Sequence, residues 1–262
     1  MLEYMNEPPS KKALKEYFID ANRERFSPDT LNCVAHLILS IEIPEDVMHI
    51  ALEFLVGKFS ASRGNGGFVT PKDRLYKPVS IRRSDAVQQA DFGEVVFSNR
   101  LKVFQEAWRQ HSPVVCQDVR NSPLLQDSRK KFEAISSQSM LMQRLTLGGD
   151  PVGIACVDFT HEQHAWSDEE IRFMETFCET FLGPLAGISH YWHHPRKFQP
   201  VKKPTCSELA AIRLAANGMS YKRIARELGK SVRTIENQLR NARCTLDAAN
   251  QAELISKCQM WL

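Results

Sequence analysis

The 262-residue chain has no uninterrupted apolar run of about 18 residues, so no membrane-spanning helix is expected. Its opening, Met1-Leu2-Glu3-Tyr4-Met5-Asn6-Glu7, lacks a basic cluster followed by an apolar stretch, so no secretory signal is expected either. The seven cysteines are scattered and include no Cys-x-x-Cys pair. That argues against a disulfide framework or a zinc finger and suits buried thiols in a cytoplasmic protein. No Ser-His-Asp order and no phosphate loop occur, so the chain is not expected to be an enzyme, and no cofactor is called for. His190 and His194 stand four apart, a ligand spacing on a helix, but Pro195 follows at once and no third ligand is near, so no metal is expected. His161 and His164 flank a loop and are taken as solvent-facing. Asp118 and Asp158 do not make a catalytic pair. Internal repeats are absent, and Gly64-Asn65-Gly66-Gly67 is read as a turn.

What is present is an ordinary globular composition, 43% hydrophobic and 25% charged, with an uneven charge distribution. Residues 200–262 hold 11 Lys/Arg against 5 Asp/Glu, a net of +6. Residues 1–199 hold 23 against 26, a net of −3. The basic end is a separate electrostatic object, as phosphate binding requires.

That end carries the clearest local signals. Thr205 and Glu208 form a capping box that starts a helix near Ser207, with Leu209, Ile212, Leu214 and Ala215 on its core face. Gly218 is a left-handed stop, Ser220 can cap a second helix with Ile224, Ala225 and Leu228 inward, and Gly229 stops that one. Ser231 can cap a third through the Thr234 amide. The gap between Leu228 and Val232 leaves room only for a helix-turn-helix corner. In the third helix Ile235, Leu239, Ala242 and Leu246 form one apolar stripe, and Arg233, Thr234, Glu236, Asn237, Arg240 and Arg243 lie off it. Such a helix suits the major groove of DNA. A fourth helix is expected from about Ala248 to Gln259.

Thr205 and Glu208, then Gly218, Ser220, Ile224 and Ala225, then Ser231, Thr234, Ile235 and Leu246 resemble the LuxR-type (GerE-like) four-helix DNA-binding domain. Pro204, Gln238 and Thr245 depart from that pattern, which puts the operator sequence and the phosphate grip in doubt. The resemblance places Glu236, Asn237 and Arg240 at base edges, where Glu suits cytosine, Asn adenine and Arg guanine. Lys222, Arg223, Arg233, Thr234 and Arg243 are expected at phosphates.

Residues 191–203, with Pro195 and Pro200 among basic residues, read as a linker. Before it, helices are expected over Lys11–Arg25, from Pro28 to Leu39, from Pro44 through Leu55, and over Asn99–Gln110. Short strands are expected near 78–82, 93–97 and 113–118. The clearest strands are Ser139–Leu147 and Val152–Phe159, joined by Gly148-Gly149-Asp150. A long helix starts at Ser167, with Ile171, Met174, Phe177, Cys178, Phe181 and Leu185 inward and a kink at Pro184.

Three segments carry a second resemblance: Pro113 to Val119, Pro151 to Phe159, and the Trp166-Ser167-Asp168-Glu169-Glu170 start of the long helix. This order resembles a GAF domain, a relative of the PAS sensor fold. The fold class it implies is α+β: an antiparallel sheet with flanking helices over 43–190, after N-terminal helices over 1–42, followed by the all-α four-helix domain over 204–262. The resemblance also implies a small-molecule pocket or dimerisation. Phe92, Phe97, Phe104, Trp108, Met140 and Met142 are its candidate lining, though such a set is more often core. Cys116 and Cys156 are taken as core residues rather than tetrapyrrole attachment points. The expected whole is a bacterial one-component transcription regulator, cytoplasmic and homodimeric, that binds a double-stranded operator. RNA polymerase and a small molecule are further candidate partners. Three alternatives stay open: an acyl-homoserine-lactone receptor, a ligand-independent dimeric regulator, and a protein-interaction module.

Overall fold

The computed structural model describes residues 9–84, 96–193, 204–246, 248 and 250–258. The chain divides into two compact units, Met1–Lys197 and Phe198–Leu262.

The first unit opens with three helices, α1 (Lys11–Phe18), α2 (Pro28–Leu39) and α3 (Pro44–Phe59). Ser10 caps α1 and Ser27 caps α2, the latter by accepting the Thr30 amide at 3.3 Å. α1 ends at Phe18, short of the expected Arg25, and one 3₁₀ turn over Asp20–Asn22 follows. There the buried Asn22 side chain donates to the Phe18 carbonyl at 3.1 Å and occupies one of the carbonyls left open at the helix end.

The strands are β1 (Arg63–Phe68), β2 (Leu75–Tyr76), β3 (Ser80–Arg83), β4 (Phe97–Ser98), β5 (Val114–Cys116), β6 (Ser139–Leu147) and β7 (Asp150–Phe159). Five make an antiparallel sheet in the order β3-β1-β7-β6-β5, and β2 pairs with β4 apart from it. The stretch expected to be a turn, Gly64-Asn65-Gly66-Gly67, is instead the buried centre of β1, with Gly64 to Gly66 paired on both sides and Gly67 paired with β7. Its glycines answer to packing. A Cβ on Gly64 would stand 3.0 Å from Val56 Cγ2, and one on Gly66 would stand 2.4 Å from Met48 Sδ. The missing side chains let α3 pack closely on this strand, and a side chain at either position would make Val56 or Met48 shift.

The central hairpin sorts its residues by parity. Leu141, Leu145, Ala155, Val157 and Phe159 join the core shared with the first three helices. Met140, Met142, Ile154 and Cys156 join a second core with α4 (Lys102–Arg109) and α5 (Arg129–Ala134). The sheet is thus covered on both faces. The long helix starts at Ser167 with a full capping box to Glu170, and runs as α6 (Asp168–Phe177), one π turn (Cys178–Leu182) and α7 (Gly183–His193). The break in its hydrogen bonding precedes Pro184, which has no amide hydrogen to donate. α5 was not expected from sequence.

The second unit is four helices: α8 (Cys206–Ala216), α9 (Tyr221–Glu227), α10 (Val232–Thr245) and α11 (Gln251–Cys258). Thr205 and Glu208 complete the expected capping box, with Thr205 Oγ1 accepting the Glu208 amide at 3.3 Å. Gly218 and Gly229 both adopt positive φ, +74° and +62°, and stop α8 and α9. Ser220 sits at the α9 N-cap without a side-chain cap bond, so the position was expected but the bond was not formed.

Candidate nucleic-acid interface and interior cavity

Two places in the chain gather chemistry, one on the surface of the second unit and one inside the first. On the surface, α10 follows α9 after a short turn. Ser231 caps it, its Oγ accepting the Thr234 amide at 3.1 Å, while the Ser231 and Thr234 hydroxyls lie 2.8 Å apart. Thr234 is therefore partly committed to the cap. Ile235, Leu239, Ala242 and Leu246 are buried against Ile212, Ile224 and Leu254. Burying a large aliphatic side chain in this way stabilises by about 1.5–3 kcal/mol each. One buried face fixes which residues face out: Arg233, Thr234, Glu236, Asn237 and Arg240 are exposed, and Arg243 is half-buried. On α9, Lys222 and Arg223 are exposed beside the buried Ile224 and Ala225. Of the eight residues expected at DNA, seven are thus exposed, while Arg243 is half-buried and Thr234 is shared with the cap. Arg240 Nη2 donates to Asn237 Oδ1 at 3.1 Å. Gln238, half-buried, has its Oε1 enclosed without a partner among the described residues.

Inside the first unit, Arg63 and Asp158 face each other across β1 and β7, 0% and 2% exposed. Arg63 Nε donates to Asp158 Oδ1 at 3.0 Å, and a second contact joins Nη2 to Oδ2. Burial of a carboxylate needs such a bidentate partner. Beside this pair lies a cavity of about 20 Å³, walled on its polar side by Asn65, Tyr76, Ser137, Cys156 and Asp158. Tyr76 Oη donates to Asn65 Oδ1 at 2.8 Å, and Ser137 Oγ has no partner among the described residues. Phe97, Phe104, Met140 and Met142 form its apolar side, together with Phe132 and Ile135. The space holds about one water molecule.

Four of the six expected lining residues thus meet at one cavity. Trp108 packs in the same core, but its Nε1 donates to buried Asn99 Oδ1 at 2.8 Å and it is not a cavity wall. Phe92 lies outside the described residues, as does His194 of the expected histidine pair. Sequence reasoning missed Arg63, Asn65, Tyr76 and Ser137. One signal was available: Asp158 is the lone acid of the expected strand Val152–Phe159, and such an acid demands a buried counter-ion.

Burial pushes the thiols of Cys116 and Cys156 up, Cys156 very far, which keeps them as protonated core residues. Asp118 belongs to a separate turn, where the Asn121 side chain, donating at 2.7 Å, helps to hold its carboxyl below the usual range. His164 is not solvent-facing as expected. It is half-buried, stacks 4.2 Å from Phe159 and meets Glu170 Oε1 at 2.9 Å, because the capping box brings Glu170 back over the strand end. Among the described residues no group of three His, Cys, Asp or Glu side chains is placed to hold a metal, and no helix is long and apolar enough to cross a membrane.

Two solved structures share the fold of the first unit. The phycoerythrobilin-bound GAF domain of a cyanobacterial phytochrome is 12% identical, with a TM-score of 0.52 over 64% of this chain and 100% of that one. The phycocyanobilin-bound GAF domain of a cyanobacterial phytochrome is also 12% identical, with a TM-score of 0.50 over 66% and 100%. At such identity the likeness concerns the fold alone. No curated protein matches the chain. Residues 210–246, from within α8 to the end of α10, match the family described as sigma-70, region 4, a helix-turn-helix domain of DNA-binding type. Residues 44–181 match the GAF domain, and because that match covers just over half of its length, the chain belongs to the GAF-domain family.

Proposed function

We propose that the chain is a one-component transcriptional regulator. Its α8–α10 segment binds double-stranded DNA, and its GAF domain supplies dimerisation and sensing. The observation that carries this reading is α10: one face wholly buried, the other bearing Arg233, Glu236, Asn237 and Arg240, on a unit of net charge +6. A LuxR-type module is supported by the capping box at Thr205 and Glu208 and by the left-handed Gly218 and Gly229. A homodimer on an inverted repeat, with half-sites about 34–36 Å apart, suits a two-fold protein. A cytoplasmic location follows from that task.

The cavity favours one version of the sensor. A space of about 20 Å³ is far below the volume a metabolite, an acyl chain or a tetrapyrrole needs. The reading preferred is therefore a GAF domain that dimerises or responds to a partner protein rather than enclosing a ligand in this cavity.

Gel-shift titration against promoter fragments over a salt series tests the reading. With Lys222, Arg223, Arg233 and Arg243 at phosphates, log affinity against log salt should fall with a slope of about −4 for one reader and about −7 for a dimer. No binding at low salt, alone or with cell extract, would remove the proposal.

A further inference from the structure

Base readout by α10 depends on how its exposed side chains hold one another. Asn237 and Arg240 are one turn apart, both exposed, and joined by the 3.1 Å bond from Arg240 Nη2 to Asn237 Oδ1. Glu236 also lies one turn from Arg240, yet no ion pair joins them among the described residues. Arg240 therefore keeps its charge for the groove and takes its orientation from a neutral partner.

This changes what each side chain offers. Bidentate reading of adenine by asparagine needs its oxygen to accept from N6 and its amide to donate to N7. In α10 one of that oxygen's two lone pairs already accepts from Arg240, which turns the oxygen toward the guanidinium. The outward edge of the pair is then mainly donors, the remaining guanidinium N–H groups and the Asn237 amide. Among the major-groove edges, guanine alone presents two adjacent acceptors, O6 and N7. Holding the guanidinium in place beforehand also reduces the side-chain freedom lost on binding.

We propose that Asn237 is a positioning residue that orients Arg240 to read guanine, and does not itself read adenine. The assignment rests on the DNA-binding function proposed above. The experiment selects duplexes from a random double-stranded library with the full chain. The selected duplex is then titrated with 7-deazaguanine or 7-deazaadenine at each position in turn, which removes the N7 acceptor. One 7-deazaguanine position should weaken binding by about ten- to a hundred-fold. Arg240→Ala should erase that sensitivity and Asn237→Ala should reduce it. Asn237→Asp, which keeps an acceptor toward Arg240 and has no amide donor, should retain it.

Sensitivity to 7-deazaadenine that Asn237→Asp abolishes would overturn the assignment in favour of adenine readout. Guanine sensitivity unchanged in Asn237→Ala would overturn the positioning role. Equal loss on every duplex in Arg240→Ala would make Arg240 a phosphate contact. Failure to retain any duplex at low salt would remove the DNA-binding function itself, a result distinct from the other three.

Discussion

The two units keep their hydrogen-bonding side chains in opposite places. In the GAF unit Arg63, Asn65, Tyr76, Asn99, Ser137, Gln143 and Asp158 are buried. In the helical unit the described core is aliphatic residues, alanines and Cys258, and the Arg, Asn, Glu and Thr side chains of α10 face outward. A polar interior makes a fold depend on a few exact partners, because each orphaned group keeps its full desolvation cost. An apolar interior depends on volume instead and leaves the surface free to vary. The GAF unit thus has its chemistry sealed within its structure, and the helical unit displays it.

The largest expected effect breaks the sealed side. Asp158→Ala leaves the Arg63 guanidinium buried without its carboxylate and should destabilise the GAF unit by about 3–5 kcal/mol. Replacing both, Arg63→Met with Asp158→Leu, should recover most of that loss. Denaturant unfolding of the full chain should show the GAF transition moving while the helical one stays. If both transitions moved together, the two units would not be independent.

A smaller effect concerns the displayed side. Leu239→Ala opens a void under α10 and should cost the helical unit about 2–5 kcal/mol. DNA binding should fall in step with the folded fraction, with the GAF transition unmoved. A loss of binding without any shift in unfolding would mean that Leu239 itself faces the groove.

The smallest effect sharpens the comparison at the rim of the sheet. Partial burial pushes the Glu170 carboxyl up, but hydrogen bonds from the Ser167 amide and hydroxyl and from His164 outweigh it, so Glu170 titrates below its ordinary 4.5. A lowered folded value means the contribution is present above pH 4.5 and is lost as pH falls through the folded value. Its size should be under about 1 kcal/mol, because the pair lies near solvent. Acid unfolding of Glu170→Gln should lack this part of the pH dependence. An unchanged acid limb would show that the Ser167 and His164 bonds to the carboxylate together contribute nothing.

Legibility in the sequence divided along the same line. α10 could be read in advance because its stripe of Ile235, Leu239, Ala242 and Leu246 repeats locally, and once one face is buried the other is settled. Caps and left-handed stops are local too, and Thr205, Glu208, Gly218 and Gly229 behave as their types predict. The misreading at Gly64-Asn65-Gly66-Gly67 has the opposite cause. Glycine marks a turn when only the chain's own torsions matter, but here it makes room for α3. His164 was misplaced because Glu170, six residues on, is returned to it only by the cap.

The sequence by itself determined the helices of the second unit with their Thr205–Glu208 and Ser231 caps, the charge contrast between the two units and the outward set on α10, since these follow from neighbours within a turn or two. Tertiary structure alone decided that Arg63 meets Asp158 across 95 positions of sequence and that Ser137 and Asn65 share a cavity. Strand pairing and side-chain orientation depend on which surfaces the whole unit removes from water, a quantity no local window contains.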